Sequence, residues 1–179
     1  DRTNQVFFDN VYVGDDYRVG ELGRGFQYIS EALDLERFTM FTFAPIEKRV
    51  ELLCKWVQTA ERDGKPLRED PLVRQRIAWL LTQTEVARCL GYKFVAESCK
   101  GGAAPTCEAS MYKLYATQLS QRVCNEALDL CGAAGQIRSR TPEAPMTGRF
   151  EGAYRATVVE TVGGGSSEIQ KNILARRKL

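Results

Sequence analysis

The sequence contains no histidine, which removes every Ser-His or Cys-His nucleophile pair and most zinc sites. Its six cysteines (Cys54, Cys89, Cys99, Cys107, Cys124 and Cys131) include no CxxC pair, so neither a disulfide framework nor a structural metal centre is expected. Because these cysteines fall mostly within apolar helical patterns, they read as reduced thiols in a cytosol-like compartment, a bacterial cytoplasm ahead of a mitochondrial matrix. No apolar run approaches the roughly 20 residues that span a bilayer, and the opening "DRTNQ" has none of the features of a signal peptide. Charge of one sign is also missing as a block: 25 basic and 23 acidic residues leave a net charge of +2. A nucleic-acid or membrane-surface role is therefore not expected. What remains is a chain of 179 residues, enough for one domain with a real core. It starts at Asp rather than Met, which suggests a piece of a longer protein.

Hydrophobic spacing divides the chain at about residue 25. Before it, "QVFFDNVYV" alternates and is rich in Val, Phe and Tyr, so it predicts one short strand with a turn or bulge at Asp9-Asn10. A lone strand makes no sheet, so it either pairs outside these residues or lies as an edge across the helices. After it the pattern is helical. Phe26, Ile29, Ala32, Leu33 and Leu35 open a helix that continues to about Thr59, with Pro45 kinking or interrupting it. The polar "RDGKPLREDP" reads as a loop ending near a helix start. Val73, Ile77, Leu80, Leu81 and Thr84 then share one face of a long helix running to about Ser98. Thr106 is a candidate N-cap for the next helix, whose face is Ala116, Leu119, Val123, Ala127 and Leu130, and which ends at "CGAAG". A loop with Pro142 and Pro145 leads to a shorter segment around Tyr154 to Thr161 and a final helix. Long helices with short connections predict an all-α fold, an antiparallel four-helix bundle preceded by a short β or extended segment.

The stretch "TVGGGSSEIQKNILA", Thr161 to Ala175, is the most pointed feature. Three glycines running into a helix can simply be a loop between helices. They can also let a ligand approach the backbone, with the unpaired N–H groups of the helix start favouring an anion.

In order and spacing, "LGRGFQYISEALDLER", "GKPL", "LCGAAG" and "YRATVVETVGGGSSEIQKNILAR" resemble the C-terminal helical domain of the acyl-CoA dehydrogenases. The resemblance covers essentially the whole chain, since "VFFDNVYVGDDYRVGELGRGF" is similar to the last strand and exit loop of that family's middle β-domain. It implies that residues 1–24 end a β-domain and its linker, and that residues 25–179 form the helical domain. It further implies FAD as cofactor, an acyl-CoA substrate, an electron acceptor flavoprotein or its equivalent as partner, and a homo- or hetero-oligomer formed through the bundle. These residues alone are expected to be inactive.

The resemblance also assigns roles. Gly164, Gly165, Ser166 and Glu168 match positions along the flavin, with Ser166 where the family has Thr and Glu168 where it has Gln, and Gly132 opens a second flavin-side loop. Many members carry their catalytic glutamate where Gly164 stands, and glycine supplies no base. Some members instead carry it on the first long helix, one residue before an Arg. In "LDLER" that position is Glu36, with Asp34 and Arg37 matching residues that contact the CoA part of the substrate. The plainer alternative for Glu36 is a surface carboxylate paired with Arg37 or Lys48. Where relatives reach across to a neighbour's flavin, this chain has Ala60, Asp63, Gly64 and Asp129, with Arg62 nearby. A non-catalytic or heteromer-dependent subunit therefore stands beside the dehydrogenase as an alternative.

Overall fold

The computed structural model describes residues 4–40, 42–102, 104–138 and 140–178, without the side chains of residues 40 and 178. Residues 1–3 and 179, at the outer ends of the two expected segments, lie outside the described residues. Six α-helices follow one another: α1 (Gly25–Met40), α2 (Ala44–Thr59), α3 (Pro71–Ser98), α4 (Thr106–Cys131), α5 (Arg149–Glu160) and α6 (Ser167–Lys178). A two-residue hairpin, β1 (Glu61–Arg62) and β2 (Lys65–Pro66), joins α2 to α3.

α4 is the centre of the bundle. Its Ala109, Tyr112, Ala116, Leu119, Val123, Ala127 and Leu130 are all buried, following the i, i+3, i+4, i+7 rule of a core-facing helix. α3 runs antiparallel to it: Arg76 binds Glu126 and Asp129, Tyr115 donates to Gln83, and a Cβ at Gly91 would touch Tyr112. α2 adds Ile46, Val50, Leu53 and Val57 to the core, and its Arg49 reaches Ser120 on α4 (2.6 Å) and Glu160 at the end of α5 (3.7 Å). α1, α5 and α6 also pack on α4. At the top of the bundle Phe38 stacks on Phe94 with ring centres 4.5 Å apart and leans on Tyr112. The all-α bundle expected from spacing is therefore the observed fold.

The interruption expected at Pro45 is present, α1 ending at Met40 and α2 starting at Ala44, and several other local expectations are corrected. Pro45 lies in the first turn of α2, where its missing N–H costs no intrahelical bond. The segment expected as a strand forms none: Val6, Phe7, Phe8, Val11, Tyr12 and Val13 are exposed, with Asn10 at φ +49°. No described strand lies beside it to supply the ladder. The polar loop after α2 contains the hairpin, its Asp63-Gly64 turn having φ of +54° and +73°, the pair of values that a two-residue type I′ turn requires. Leu81, placed on the core face of α3, is exposed. α5 begins at Arg149, earlier than Tyr154. Thr106 is no N-cap: α4 starts at Thr106 after Pro105, and no side chain caps it.

Candidate functional site

The site begins with the backbone. α5 ends with Gly163 N–H donating to Val159 O (2.8 Å), and the chain then turns through Gly164 and Gly165 at φ +67° and +94°, conformations that favour glycine. The carbonyls of these two glycines are held by side chains from three helices. Arg37 of α1 donates through Nε to Gly164 O (3.2 Å). Lys113 of α4 donates to Gly165 O (2.7 Å). Gln170 of α6 donates through Nε2 to both, at 3.0 and 3.2 Å. Lys113 and Gln170 are each 0% exposed. Sequence reasoning missed both, because a lysine or glutamine on a helix reads as a solvated side chain.

Ser166 caps α6, its Oγ accepting from Ile169 N–H at 3.4 Å. Glu168 is exposed, and its carboxyl is held below the usual carboxylate range by its own backbone N–H first and then by the Ser166 hydroxyl. Both belong to the α6 start, as the sequence placed them. Burial comes first among the causes that push the Lys113 titration down, followed by the nearby Arg37 charge.

Arg37 joins this turn to α1. Its guanidinium also binds the carboxylate of Asp34, one helical turn back, which is buried at 7% exposure. The other oxygen of Asp34 accepts from the Thr106 hydroxyl at 2.6 Å. The hydroxyl expected to cap α4 thus fastens α1 to it. Asp34, Arg37, Gly164, Gly165, Ser166 and Glu168 therefore meet in one place although Arg37 and Gly164 are 127 positions apart.

Glu36 sits beside this cluster on the outer side of α1. It is exposed, and the two cations that could have neutralised it are engaged elsewhere, Arg37 with Asp34 and Lys48 with Glu51. Helical spacing puts Ile29, Ala32 and Leu33 on the Glu36 face. Phe26, Ile29 and Leu33 are exposed, Phe26 at 85%. The apolar stripe predicted for α1 exists but faces away from the core, and among the described side chains of this helix Asp34 is the buried one, with Phe38 partly buried against the core.

Gly132 is not brought to this cluster. It ends α4 at φ +60°, about 28 Å along the helix axis from Lys113 at 1.5 Å per residue. Near that end Arg62 donates to Leu130 O (2.8 Å), and Asp129 pairs with Arg76 (3.2 Å). Among the described residues no group of three or more metal-ligating side chains occurs, and no helix is long and apolar enough to cross a membrane.

The turn fits the sugar and ring portions of a flavin nucleotide better than its pyrophosphate. Glu168 already places a negative charge at the α6 start, and it would repel a phosphate while accepting from hydroxyl or ring N–H donors. Gln170 Oε1 is buried without a partner, a further acceptor for such a donor. A Cβ at Gly165 would meet Gln170 Nε2 at 2.7 Å, so the glycine is what lets Gln170 pack against the turn.

Residues 23–179 match the family model for the C-terminal domain of acyl-CoA dehydrogenases. The chain is 27% identical over 175 residues to acyl-CoA dehydrogenase FadE26 of Mycobacterium tuberculosis, an alignment covering 96% of this chain and 44% of that protein. It is 28% identical over 177 residues to the mitochondrial isovaleryl-CoA dehydrogenase of Solanum tuberosum, covering 97% of this chain and 40% of that one. Among solved structures, a chain of the ChsE4-ChsE5 complex from Mycobacterium tuberculosis superposes with a TM-score of 0.77 at 26% identity, over 90% of this chain and 42% of the other. The chain thus spans less than half the length of the curated relatives it matches.

Proposed function

Because the chain belongs to the acyl-CoA dehydrogenase family through that family's C-terminal helical domain, we propose that the complete protein dehydrogenates an acyl-CoA thioester to the trans-2-enoyl-CoA. The family is one of flavoproteins, and FAD is the cofactor proposed here. When bound, FAD supplies the acceptor for the hydride that leaves the β-carbon. The remaining work falls to residues of this chain. Glu36 takes the α-proton on its carboxylate. Asp34 and Arg37, locked as a pair, border the CoA side of the substrate, and Gly164, Gly165, Ser166 and Glu168 border the flavin.

One observation carries this reading: the Arg37–Gly164 hydrogen bond. It brings the helix turn bearing Glu36 against the position where many relatives hold their base and this chain has glycine. A carboxylate missing from one side of the contact is present on the other. Glu36 also stands on an open apolar face with Phe26, Ile29 and Leu33, a face that an acyl chain and a preceding domain would cover. We propose too that residues 1–24 end a β-domain and form its linker, supported by their exposed apolar side chains, and that the protein belongs to a bacterial cytoplasm ahead of a mitochondrial matrix, two reducing compartments that its free cysteines suit alike.

The test is Glu36→Gln in the complete protein. Flavin reduction by acyl-CoA should fall by roughly 10²- to 10⁴-fold with FAD content unchanged. A variant that reduces flavin at the unaltered rate overturns the assignment.

A second reading concerns assembly. Ala60 and Asp63 stand where relatives reach a neighbour's flavin, and Arg62 is engaged at the end of α4. We propose that the protein made alone retains FAD poorly and that a paralogous subunit restores it. One tightly held FAD per chain in a homo-oligomer would refute this.

A further inference from the structure

Lys113 comes from the middle of the bundle and is fully buried, with Nζ 2.7 Å from Gly165 O. An ammonium at that depth loses most of its hydration, a loss that only good partners offset. An apolar residue there would avoid the loss, so the charge calls for a reason other than packing. The other buried polar groups on the same side of α4 do not hold the loop. Thr117 donates back to Lys113 O (3.0 Å), and Ser120 accepts from Arg49.

We propose that Lys113 is the positioning residue of the glycine turn. Its ammonium fixes the Gly165 carbonyl and, with Arg37 on the neighbouring carbonyl and Gln170 spanning both, sets where α6 begins. Ser166 and Glu168 are presented from that point, so the place at which a cofactor meets this chain is decided from inside α4. The Arg37 charge from α1 and the Glu168 charge from α6 both act on the ammonium, in opposite senses. The inference rests on the proposed function in one respect only: that a flavin lies along this turn.

The test uses the complete protein and two substitutions. Lys113→Met keeps the length of the side chain and removes donor and charge. Lys113→Arg keeps a cationic donor. Two readouts apply, amide hydrogen exchange of residues 163–170 and FAD retained per polypeptide together with its visible circular dichroism. In the Met variant, protection of residues 163–170 should fall about tenfold or more, the factor expected for one charge-assisted hydrogen bond. Protection within α3 should be unchanged, the flavin should be lost or its dichroic band altered, and the Arg variant should restore both. Unaltered exchange and flavin content in Lys113→Met overturn the proposal, as does loss of protection spread equally through α3. If the Met variant does not fold, the Arg variant decides: native protection at the turn supports the proposal and a labile turn refutes it. An unaltered protein that carries no FAD even with its paralogous subunit present refutes the flavin reading, while the exchange measurement still judges Lys113.

Discussion

A Cβ added at Gly165 would lie 2.7 Å from Gln170 Nε2, on backbone at φ +94°. Gln170 cannot swing aside cheaply, because that nitrogen already serves two carbonyls. Gly165→Ala should therefore lower stability by about 1–3 kcal/mol, the range for a side chain forced into such a conformation, and should loosen FAD. Urea unfolding and flavin content measure the two effects. At this scale the sequence was informative where a residue type decides the matter: glycine at 164 cannot be a base, and Glu36 before Arg37 can. It was silent on Lys113 and Gln170, whose burial depends on a carbonyl more than fifty positions away from the lysine. It misread Thr106, since a threonine at a helix start is equally able to reach a neighbouring carboxylate.

Asp70 shows how one side chain caps an element. Its Oδ1 accepts from the N–H groups of Leu72 (2.8 Å) and Val73 (3.4 Å) at the start of α3, with Pro71 in the first turn. Asp70→Ala should cost about 1 kcal/mol and lower the thermal midpoint by a few degrees, while Asp70→Asn should restore most of the loss. No change in either variant would show that α3 does not need its cap. The long helices were legible because α3 and α4 repeat apolar residues at helical spacing over many turns. The Asp63-Gly64 hairpin signal was present in the letters but lay hidden in a polar loop. The break between α1 and α2 was legible in Pro45, although its bounds were not, because apolar periodicity continues across it. The alternation of residues 6–13 was sound as a pattern, yet a strand needs a partner that the described residues do not provide. The outward stripe of α1 repeats that lesson, since spacing defines a face and not what covers it.

For the molecule as a whole, burial shapes the response to alkali. It pushes the thiols of Cys124 and Cys131 up to about 11 and the Tyr112 phenol up to about 12. Each group is held protonated in the folded chain, so its contribution is fully present below the unfolded titration near 9 or 10. That contribution is lost as pH rises through the folded value. Lys113, shifted downward, acts in the opposite sense up to its ordinary value of 10.5. Stability measured in urea should therefore decline between pH 9 and 11. The advantage of the unaltered protein over Cys124→Ala should shrink by about 2 to 3 kcal/mol across that range, as a thiol raised from its ordinary 9.0 to about 11 requires; an advantage independent of pH would contradict this account. The distance between Lys113 and Gly132 has a consequence of another kind. In an assembly that builds each flavin site from two chains, lesions at Gly132 and at Gly165 of one chain fall in different sites. A cell making one chain of each kind would then assemble one site with both lesions and one with neither. Heredity would treat two regions of a single chain as if they were separate genes, each mutant allele masking the fault of the other.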